Sequence, residues 1–257
     1  MVIEFAEGGG LDTALKKNFK RSWTWHEPLL KISIDIANAL LFMHHTPFYD
    51  DTTKTVQNTI LHRDMKPSNV LLTSCLTAKL ADFGTSKAVD RSAVQTIVGT
   101  PIFMAPEVHK GDSYSHSADV FSFGMTLWAI SVGHESLFKR VIKAMRSKDR
   151  PTANHEAITK TMNAIAKDNL RPSLDERVQA DMPPSLKRLI SSCWDSNKIS
   201  RPTMEEVVKE LKGPVTEELS KQFQRNARFK VERDAAPILK GAAERSARRC
   251  TIEQKRN

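Results

Sequence analysis

The segment ILHRDMKPSNVLL (Ile60–Leu72) places five polar side chains of different kinds between two short apolar runs. A His, an Arg, an Asp, a Lys and an Asn all fall within the eight residues from His62 to Asn69. The flanking apolar runs predict buried segments that hold this polar stretch on a short loop. The 257-residue chain is long enough for one large domain or two small ones around such a loop.

Three side chains with oxygen atoms indicate a cation site. Asp64 and Asn69 lie five residues apart on this loop, and Asp82 stands on the next polar stretch. Oxygen ligands held together at loop tips suit a hard cation such as Mg²⁺, and Lys66 adds a positive charge beside Asp64. A positioned carboxylate, oxygen ligands for a metal and a neighbouring cation are what phosphoryl transfer needs. Each residue alone would suit an ordinary turn equally well, but the combination favours phosphoryl transfer.

Three motifs, in this order, resemble those of the protein kinases: HRDMKPSN, then DFG, then APE at Ala105–Glu107. The resemblance runs from Val2 to about Leu211. It implies a mainly α structure, the large C-terminal lobe of a kinase with a short residual hinge strand, which is an α+β kinase fold truncated at its N-terminus. It also implies a kinase domain over residues 1–212 and a basic, helical or disordered tail over residues 213–257.

The resemblance implies a catalytic role for four residues. Asp64 would be the catalytic base and Lys66 would contact the transferred phosphate. Asn69 and Asp82 would bind the metal. The implied cofactors are ATP and Mg²⁺, and the implied partners are protein substrates with Ser or Thr hydroxyls. Four residues would surround the adenine. Ile3 would be the gatekeeper, the Glu4 and Ala6 backbones would form the hinge, and Leu71 would form the floor.

The resemblance also implies regulatory residues. Arg63 would contact a phosphate on the segment between DFG and APE. Ser92 and Thr96 are the candidate phosphorylation sites, because both precede the structural threonine Thr100. A phosphate group carries about −1.5 to −2 charges, which can pair with Arg63 and order the segment. An upstream kinase or autophosphorylation could supply this phosphate.

Further residues would have structural roles. His62 and Phe83 would stack in the regulatory spine, anchored by Asp119. Glu107 would form a buried ion pair with Arg201. Lys66 and GTPIFMAPE resemble the serine/threonine kinases, while the segment Cys193–Leu211 resembles the tyrosine-kinase-like group that includes Raf and mixed-lineage kinases.

The first predicted strand, MVIEF, matches the hinge strand of that family. The chain contains no GxGxxG lid, no VAIK-type lysine and no partner glutamate before it. The expectation is a truncated record or a fragment of a kinase, inactive by itself. The alternative is a catalytically inactive scaffold that binds partners through its helices and basic tail.

The periodicity of apolar residues predicts the other elements. The AEGGG stretch is expected to be a hinge or turn, and residues 46–59 a polar loop. NVLLT and AKLAD are expected to form a strand pair, and Asp82–Glu107 a long functional loop. Helices are expected from LDTALKK onward and over Pro28–His45, Ser117–Val132, Lys139–Lys167, Ser185–Trp194 and Thr203–Leu211.

Net charge and cysteine content limit which kinds of partner and which cellular compartment are expected. The net charge is +9, and 11 Lys/Arg against 6 Asp/Glu from Val215 onward account for +5 of it. The remaining +4 predicts a solvated basic surface, so no nucleic-acid partner is expected. Three widely separated cysteines favour neither disulfides nor zinc, and a cytoplasmic location is expected, with the nucleus as the alternative. The most apolar stretch, Ala118–Gly133, is too short for a membrane span.

Overall fold

The computed structural model describes residues 4–18, 23–50, 54–57, 59–82, 101–112, 115–133, 163–174 and 181–228. Across these residues the structure is mostly helical with a few short strands. The helices are α1 (Leu11–Asn18), α2 (Leu29–His44), α3 (Pro106–His109), α4 (His116–Val132), α5 (Pro184–Cys193) and α6 (Met204–Glu210). The strands are β1 (Gly9–Gly10), β2 (Phe48–Asp50), β3 (Thr55–Gln57), β4 (Val70–Leu72) and β5 (Ala78–Leu80).

The largest described sheet has three antiparallel strands in the order β1-β4-β5. In the β4–β5 pair, Leu71 stands opposite Lys79, which confirms the strand pair predicted from NVLLT and AKLAD. On its other side β4 pairs with β1, so that Gly10 stands opposite Leu71. Because β4 directly follows the HRDMKPSN segment, the sheet fixes where that segment ends.

The strand predicted for MVIEF is wrong over its described residues, since Glu4 and Phe5 are not in a strand. The strand forms later, at glycines that were predicted to be a hinge or turn. Gly8 donates its N–H to the carbonyl of Leu72 at 2.8 Å, and a Cβ at Gly8 would lie only 2.7 Å from that oxygen. The missing side chain permits this close approach, which strand propensity alone does not predict.

A β-hairpin replaces part of the polar loop predicted between α2 and the HRDMKPSN segment. Strands β2 and β3 pair antiparallel, with Tyr49 opposite Val56. Aromatic and β-branched residues favour strands, and both occur here, at Tyr49 and Val56. The polar residues that separate them in the sequence obscured that signal.

Helix α4 is the centre of the described core, because every residue from Ala118 to Val132 is buried. Three of its buried hydroxyl groups are hydrogen-bonded inside the helix. Ser122 Oγ, Thr126 Oγ1 and Ser131 Oγ donate to the carbonyls four residues earlier, at 3.0, 2.8 and 2.8 Å. These bonds satisfy the hydroxyl groups, so a helix with polar residues can be buried on all sides.

Helix α4 packs against α2 and α5, and α2 packs against α6 and β5. The predicted helices over Pro28–His45 and Ser117–Val132 are therefore confirmed to within one residue at each end. Helix α6 begins with a capping box, in which Thr203 Oγ1 accepts from Glu206 N–H and the Glu206 carboxylate accepts from Thr203 N–H. The helical path continues through a π-turn at Leu211–Val215 to residue 228.

Two further expectations are only partly covered by the described residues. Within the predicted helix Lys139–Lys167, residues 163–167 are helical, and the described part of Asp82–Glu107 contains a 3₁₀ turn at Pro101–Phe103. Each helix in the described segments is too short or too polar to cross a bilayer.

Candidate functional site

The side chains of the HRDMKPSN segment meet around Asp64. Lys66 Nζ lies 2.6 Å from Asp64 Oδ2. The Asn69 amide nitrogen donates to the same Oδ2 at 2.9 Å and to the Asp64 carbonyl at 2.8 Å. The Asp64 and Lys66 side chains are 14% and 18% exposed, so both are shielded from bulk water while remaining accessible at one side. Two donors thus fix one carboxylate in a single orientation.

A 3₁₀ turn at Pro67–Asn69 brings Asn69 back toward Asp64. Asn69 N–H donates to the Lys66 carbonyl at 3.0 Å and closes this turn. Pro67 stands in the first turn, where its fixed φ is favourable and its missing N–H has no cost. The Met65 side chain is fully buried in the core and so anchors the loop to it.

Asp119 anchors the start of the loop. Its fully buried carboxylate accepts the backbone N–H groups of His62 and Arg63, each at 2.9 Å. Arg63 has φ of +68°, a left-handed backbone conformation that is unfavourable for most residues other than glycine and asparagine. The hydrogen bonds to Asp119 offset that strain. The loop conformation therefore depends on a residue of α4.

The charge of Asp119 is stabilised despite burial. Burial by itself raises the pKa of this carboxyl group, but hydrogen bonds from His44 and from the backbone of the loop outweigh it and lower the pKa below its ordinary value. His44 Nε2 lies 2.9 Å from Asp119 Oδ2, and both side chains are buried. Asp119 is therefore an anionic acceptor for three groups.

His62 is fully buried, and burial lowers the pKa of its imidazole, although Asp119 opposes this shift. The backbone of Ala81 opposes the shift as well. Ala81 N–H in turn donates to the Asn69 carbonyl at 2.9 Å, so the chain reaches Asp82 directly beside Asn69. Asp82 has φ of +65°, a left-handed conformation that aspartate tolerates better than most residues.

The donor set fits a Mg²⁺ ion. Asn69 and Asp82 supply amide and carboxylate oxygen atoms, and Mg²⁺ in nucleotide sites uses few protein ligands because water and phosphate oxygens complete its shell. The described segments contain no cluster of three or more His, Cys, Asp or Glu side chains that could hold a metal. A site that shares the ion with a phosphorylated ligand agrees with these residues.

The residues predicted to contact adenine are partly described. The Glu4 carboxylate lies 2.5 Å from Lys79 Nζ, and the Ala6 carbonyl accepts from Gly9 N–H at 3.1 Å. Leu71 is half-buried at the centre of the three-stranded sheet. The other predicted site residues lie outside the described part of the chain, namely Ile3, Phe83, Ser92, Thr96 and Thr100.

The structure contains the ion pair that the sequence suggests between Glu107 and Arg201. The two side chains form two parallel hydrogen bonds, at 2.6 and 2.9 Å, and both are almost completely buried. Burial alone raises the pKa of the Glu107 carboxyl group, but the hydrogen bonds from Arg201 outweigh it and lower the pKa. Arg201 also donates to the Ser117 and Asp195 carbonyls, at 2.9 and 2.8 Å. It thus joins α3, α4 and the segment before α6.

Sequence reasoning missed His44 and His116. His44 bonds Asp119 across 75 positions of the chain, and its ring centroid lies 4.7 Å from that of His116. His44 ends α2 on its buried face, where the 3.6-residue period marks it as a core position, and that is the only signal that could have found it. No local pattern marks His116.

Comparison with protein-family models matches residues 1–211 to the family described as Protein kinase domain. Among curated proteins, the chain is similar to two from Dictyostelium discoideum. It is 34% identical over 187 residues to "Dual specificity protein kinase shkA", covering 71% of this chain and 30% of the relative. It is 33% identical over 209 residues to "Probable serine/threonine-protein kinase roco5", covering 79% of this chain and 7% of the relative. The chain thus spans less than a third of the length of either relative.

Proposed function

The chain belongs to the protein kinase domain family, and on that premise we propose that it transfers the γ-phosphoryl group of Mg-ATP to Ser or Thr hydroxyls of protein substrates. Two named relatives, a serine/threonine kinase and a dual-specificity kinase, support the choice of acceptor. The observation that carries the proposal is the arrangement of Lys66 and Asn69 around the carboxylate of Asp64.

In this proposal Asp64 is the catalytic base. One of its oxygens is held by Lys66 and Asn69, so the carboxylate presents a fixed acceptor to an incoming hydroxyl group and takes its proton as the phosphoryl group is transferred. Lys66 stands 2.6 Å from that carboxylate and would bind the transferred phosphate with its charged Nζ. Positioning and electrostatic stabilisation supply most of the rate in this class of reaction.

Asn69 and Asp82 would hold the metal. The Asn69 amide nitrogen donates to Asp64, so its amide oxygen is the atom that would bind the ion. The hydrogen bond from Ala81 to the Asn69 carbonyl keeps Asp82 next to Asn69. Mg²⁺, when bound, would neutralise negative charge on the phosphates.

The adenine would bind against Ile3, the Glu4 and Ala6 backbone and Leu71, and the hydrogen bond between Gly8 and Leu72 supports a close approach of these segments. A kinase domain over residues 1–212, followed by the basic tail, is supported by the family match to residue 211. We also propose membership of the tyrosine-kinase-like group, from the Cys193–Leu211 segment, and a cytoplasmic location.

Regulation by phosphorylation is part of the proposal. Asp119 accepts the backbone N–H of Arg63 and so fixes where this side chain leaves the loop, and its guanidinium group would pair with a phosphate on Ser92 or Thr96. Phe83 would complete the spine with His62, and Thr100 would lie near the base.

The test is transfer of labelled phosphate from ATP to a protein substrate, by the longest natural form of the protein that contains this chain. Asp64→Asn should lower kcat by about 10²–10⁴-fold, the range for losing a positioned acid–base group, while Mg-ATP affinity changes little. Asp168→Asn, at an exposed carboxylate remote in the chain from the loop, is the matched control and should leave kcat unchanged. Equal activity of the Asp64→Asn and unsubstituted proteins would remove Asp64 from the mechanism, and absence of Asp64-dependent transfer by the natural form would favour the scaffold alternative.

A further inference from the structure

Three imidazoles surround a cavity of about 390 Å³ beside the anchor of the HRDMKPSN segment. We call His44, His45 and His116 the histidine cluster. The cavity is formed by the end of α2, the start of α4 and the start of α6, and it gives water access to the cluster. None of the three side chains has a part in the proposed phosphoryl transfer.

His116 contacts two residues, Thr59 and His44, that lie beside the HRDMKPSN segment or its anchor Asp119. Its Nε2 lies 2.5 Å from the hydroxyl of Thr59, three residues before His62. Its ring is tilted by 48° against that of His44 at 4.7 Å, and His44 holds Asp119. His116 therefore contacts the chain that enters the loop and also the partner of the carboxylate that anchors it.

The groups that face His116 come from four parts of the structure. Asp119 lies on its own helix, His44 and His45 at the end of α2, Glu205 on α6, and Arg201 on the segment before α6. The described acidic groups near it already have cationic or hydrogen-bonding partners, because His45 Nε2 lies 2.5 Å from Glu205 and His44 bonds Asp119. A proton on His116 would therefore add a positive charge next to His44 without a carboxylate of its own.

The pKa of His116 agrees with this arrangement. Partial desolvation of the ring lowers it from its ordinary value of 6.5, and the neighbouring His44 lowers it further, while Asp119 opposes the shift. His116 is therefore neutral at pH 7, and its Nε2 can accept the Thr59 proton in the tautomer that carries hydrogen on Nδ1.

We propose that His116 is a positioning residue for the catalytic loop, and that its protonation on acidification weakens the hold of Asp119 on the loop backbone. A positive charge on His116 lies beside the His44 ring, 4.7 Å away, and competes with that ring for the carboxylate of Asp119, which loosens the contact of His44 with Asp119. The N–H groups of His62 and Arg63 then lose a fixed acceptor, and Asp64 loses its defined position. The catalytic meaning of this motion rests on the proposed kinase function, but the motion itself does not.

The test is hydrogen exchange of the His62 and Arg63 amides, measured by NMR on the 257-residue chain between pH 7.5 and 5.5 and corrected for the intrinsic exchange rate. Their protection should fall by about tenfold on acidification, as expected for a local opening. The Trp194 amide, bonded to the Ile190 carbonyl, reports on the fold and should keep its protection. The ring titration of His116, followed in the same samples, should have its midpoint at the pH where protection falls.

Two substitutions separate the proposal from a general effect of acid. His116→Gln keeps a hydrogen-bonding side chain that cannot be protonated, and should abolish the pH dependence of His62 and Arg63 protection. His45→Gln removes the neighbouring imidazole, and the loss of protection on acidification should persist in that variant. The same loss of protection in His116→Gln, or a midpoint that differs from the His116 titration, would overturn the proposal. Because the second criterion uses the unsubstituted chain, the outcome does not depend on the folding of a variant.

Kinase activity is not needed for either readout. A chain whose loop opens with the His116 titration but that transfers no phosphate would refute the proposed function alone. A chain that transfers phosphate and shows no such opening would refute this inference alone.

Discussion

Arg201 and Glu107 form a bidentate ion pair in which the arginine side chain is completely buried and the glutamate is 7% exposed. The pair joins segments 94 residues apart in the chain. A buried charge without its partner is costly because neither water nor a counter-ion solvates it.

Arg201→Met should therefore lower the free energy of unfolding by about 3–5 kcal/mol. Lys221→Met is the matched control, because it breaks a solvent-exposed pair with Glu217 at 3.8 Å and should cost less than about 1 kcal/mol. Urea denaturation followed by tryptophan fluorescence measures both values. Adding Glu107→Gln to Arg201→Met should recover part of the loss, since it removes the unpaired charge. Equal costs for the two single substitutions would mean that the buried pair is not important for stability.

Acid should destabilise the fold in two pH ranges. The pKa values of His62 and His116 lie below 6.5 in the folded protein, so the unfolded chain takes up these protons first, and stability should fall as the pH drops below about 6.5. The pKa values of Glu107 and Asp119 also lie below their ordinary values of 4.5 and 3.8. Their contribution is present above those values and should be lost as the pH falls through the lower, folded-state values.

Urea denaturation at half-unit intervals from pH 7.5 to 3.5 measures this profile. Two successive decreases in the free energy of unfolding are expected. A constant value from pH 7.5 to 5.5 would show that protonation of His62 and His116 does not control stability in that range.

The long helices were predictable because apolar residues recur with the helical period over many residues. Helix α2 is an example, with Ile32, Ile36 and Leu40 all fully buried on one face. The strand at Gly9–Gly10 was not predictable, because it depends on a close backbone approach to Leu72 and not on side-chain preference. A local pattern has no information about which distant backbone it will meet.

The candidate site shows the same division. Asp64, Lys66 and Asn69 lie within six residues, so a sequence motif could predict that they are neighbours. The described loop does place them in contact. The contact of His44 with Asp119 spans 75 positions and involves residue types that are common in helices. Such pairs have no periodic signal, and only the packing of α2 against α4 reveals them.

The two described cysteines should differ strongly in reactivity. Cys193 is completely buried, and burial raises the pKa of its thiol to about 12, with Arg201 opposing the shift, whereas Cys75 is exposed in the turn between β4 and β5. In a Cys250→Ser background, iodoacetamide at pH 8 should label Cys75 in the folded chain. Cys193 should react at least about 10³-fold more slowly than Cys75, because little thiolate is present and the reagent reaches it only when the core opens. Mass spectrometry of timed samples measures both rates, and equal labelling without denaturant would contradict the packing of α4 against α5.

That packing leads to the last prediction, at Gly124. A Cβ at this position would lie 2.7 Å from the Cβ of Cys193. Both atoms are attached directly to the backbone, so neither can move away by a side-chain rotation. Gly124→Ala should therefore push α4 and α5 apart and lower the free energy of unfolding by about 1–3 kcal/mol, as overpacking does in other cores. Gly213→Ala is the matched control. Nothing lies within 4 Å of a Cβ there, so the substitution should be neutral or stabilising by up to about 1 kcal/mol.

The consequence should extend to the loop, because Asp119 stands on α4 five residues before Gly124. A displaced α4 moves the carboxylate that holds the His62 and Arg63 amides. Hydrogen exchange of these two amides should therefore accelerate in Gly124→Ala more than global destabilisation alone explains, with the amide of Thr73, which bonds the Thr77 carbonyl beside β4, as the reference. If both sites accelerate equally, the helix packing supports the fold as a whole and has no specific influence on the loop.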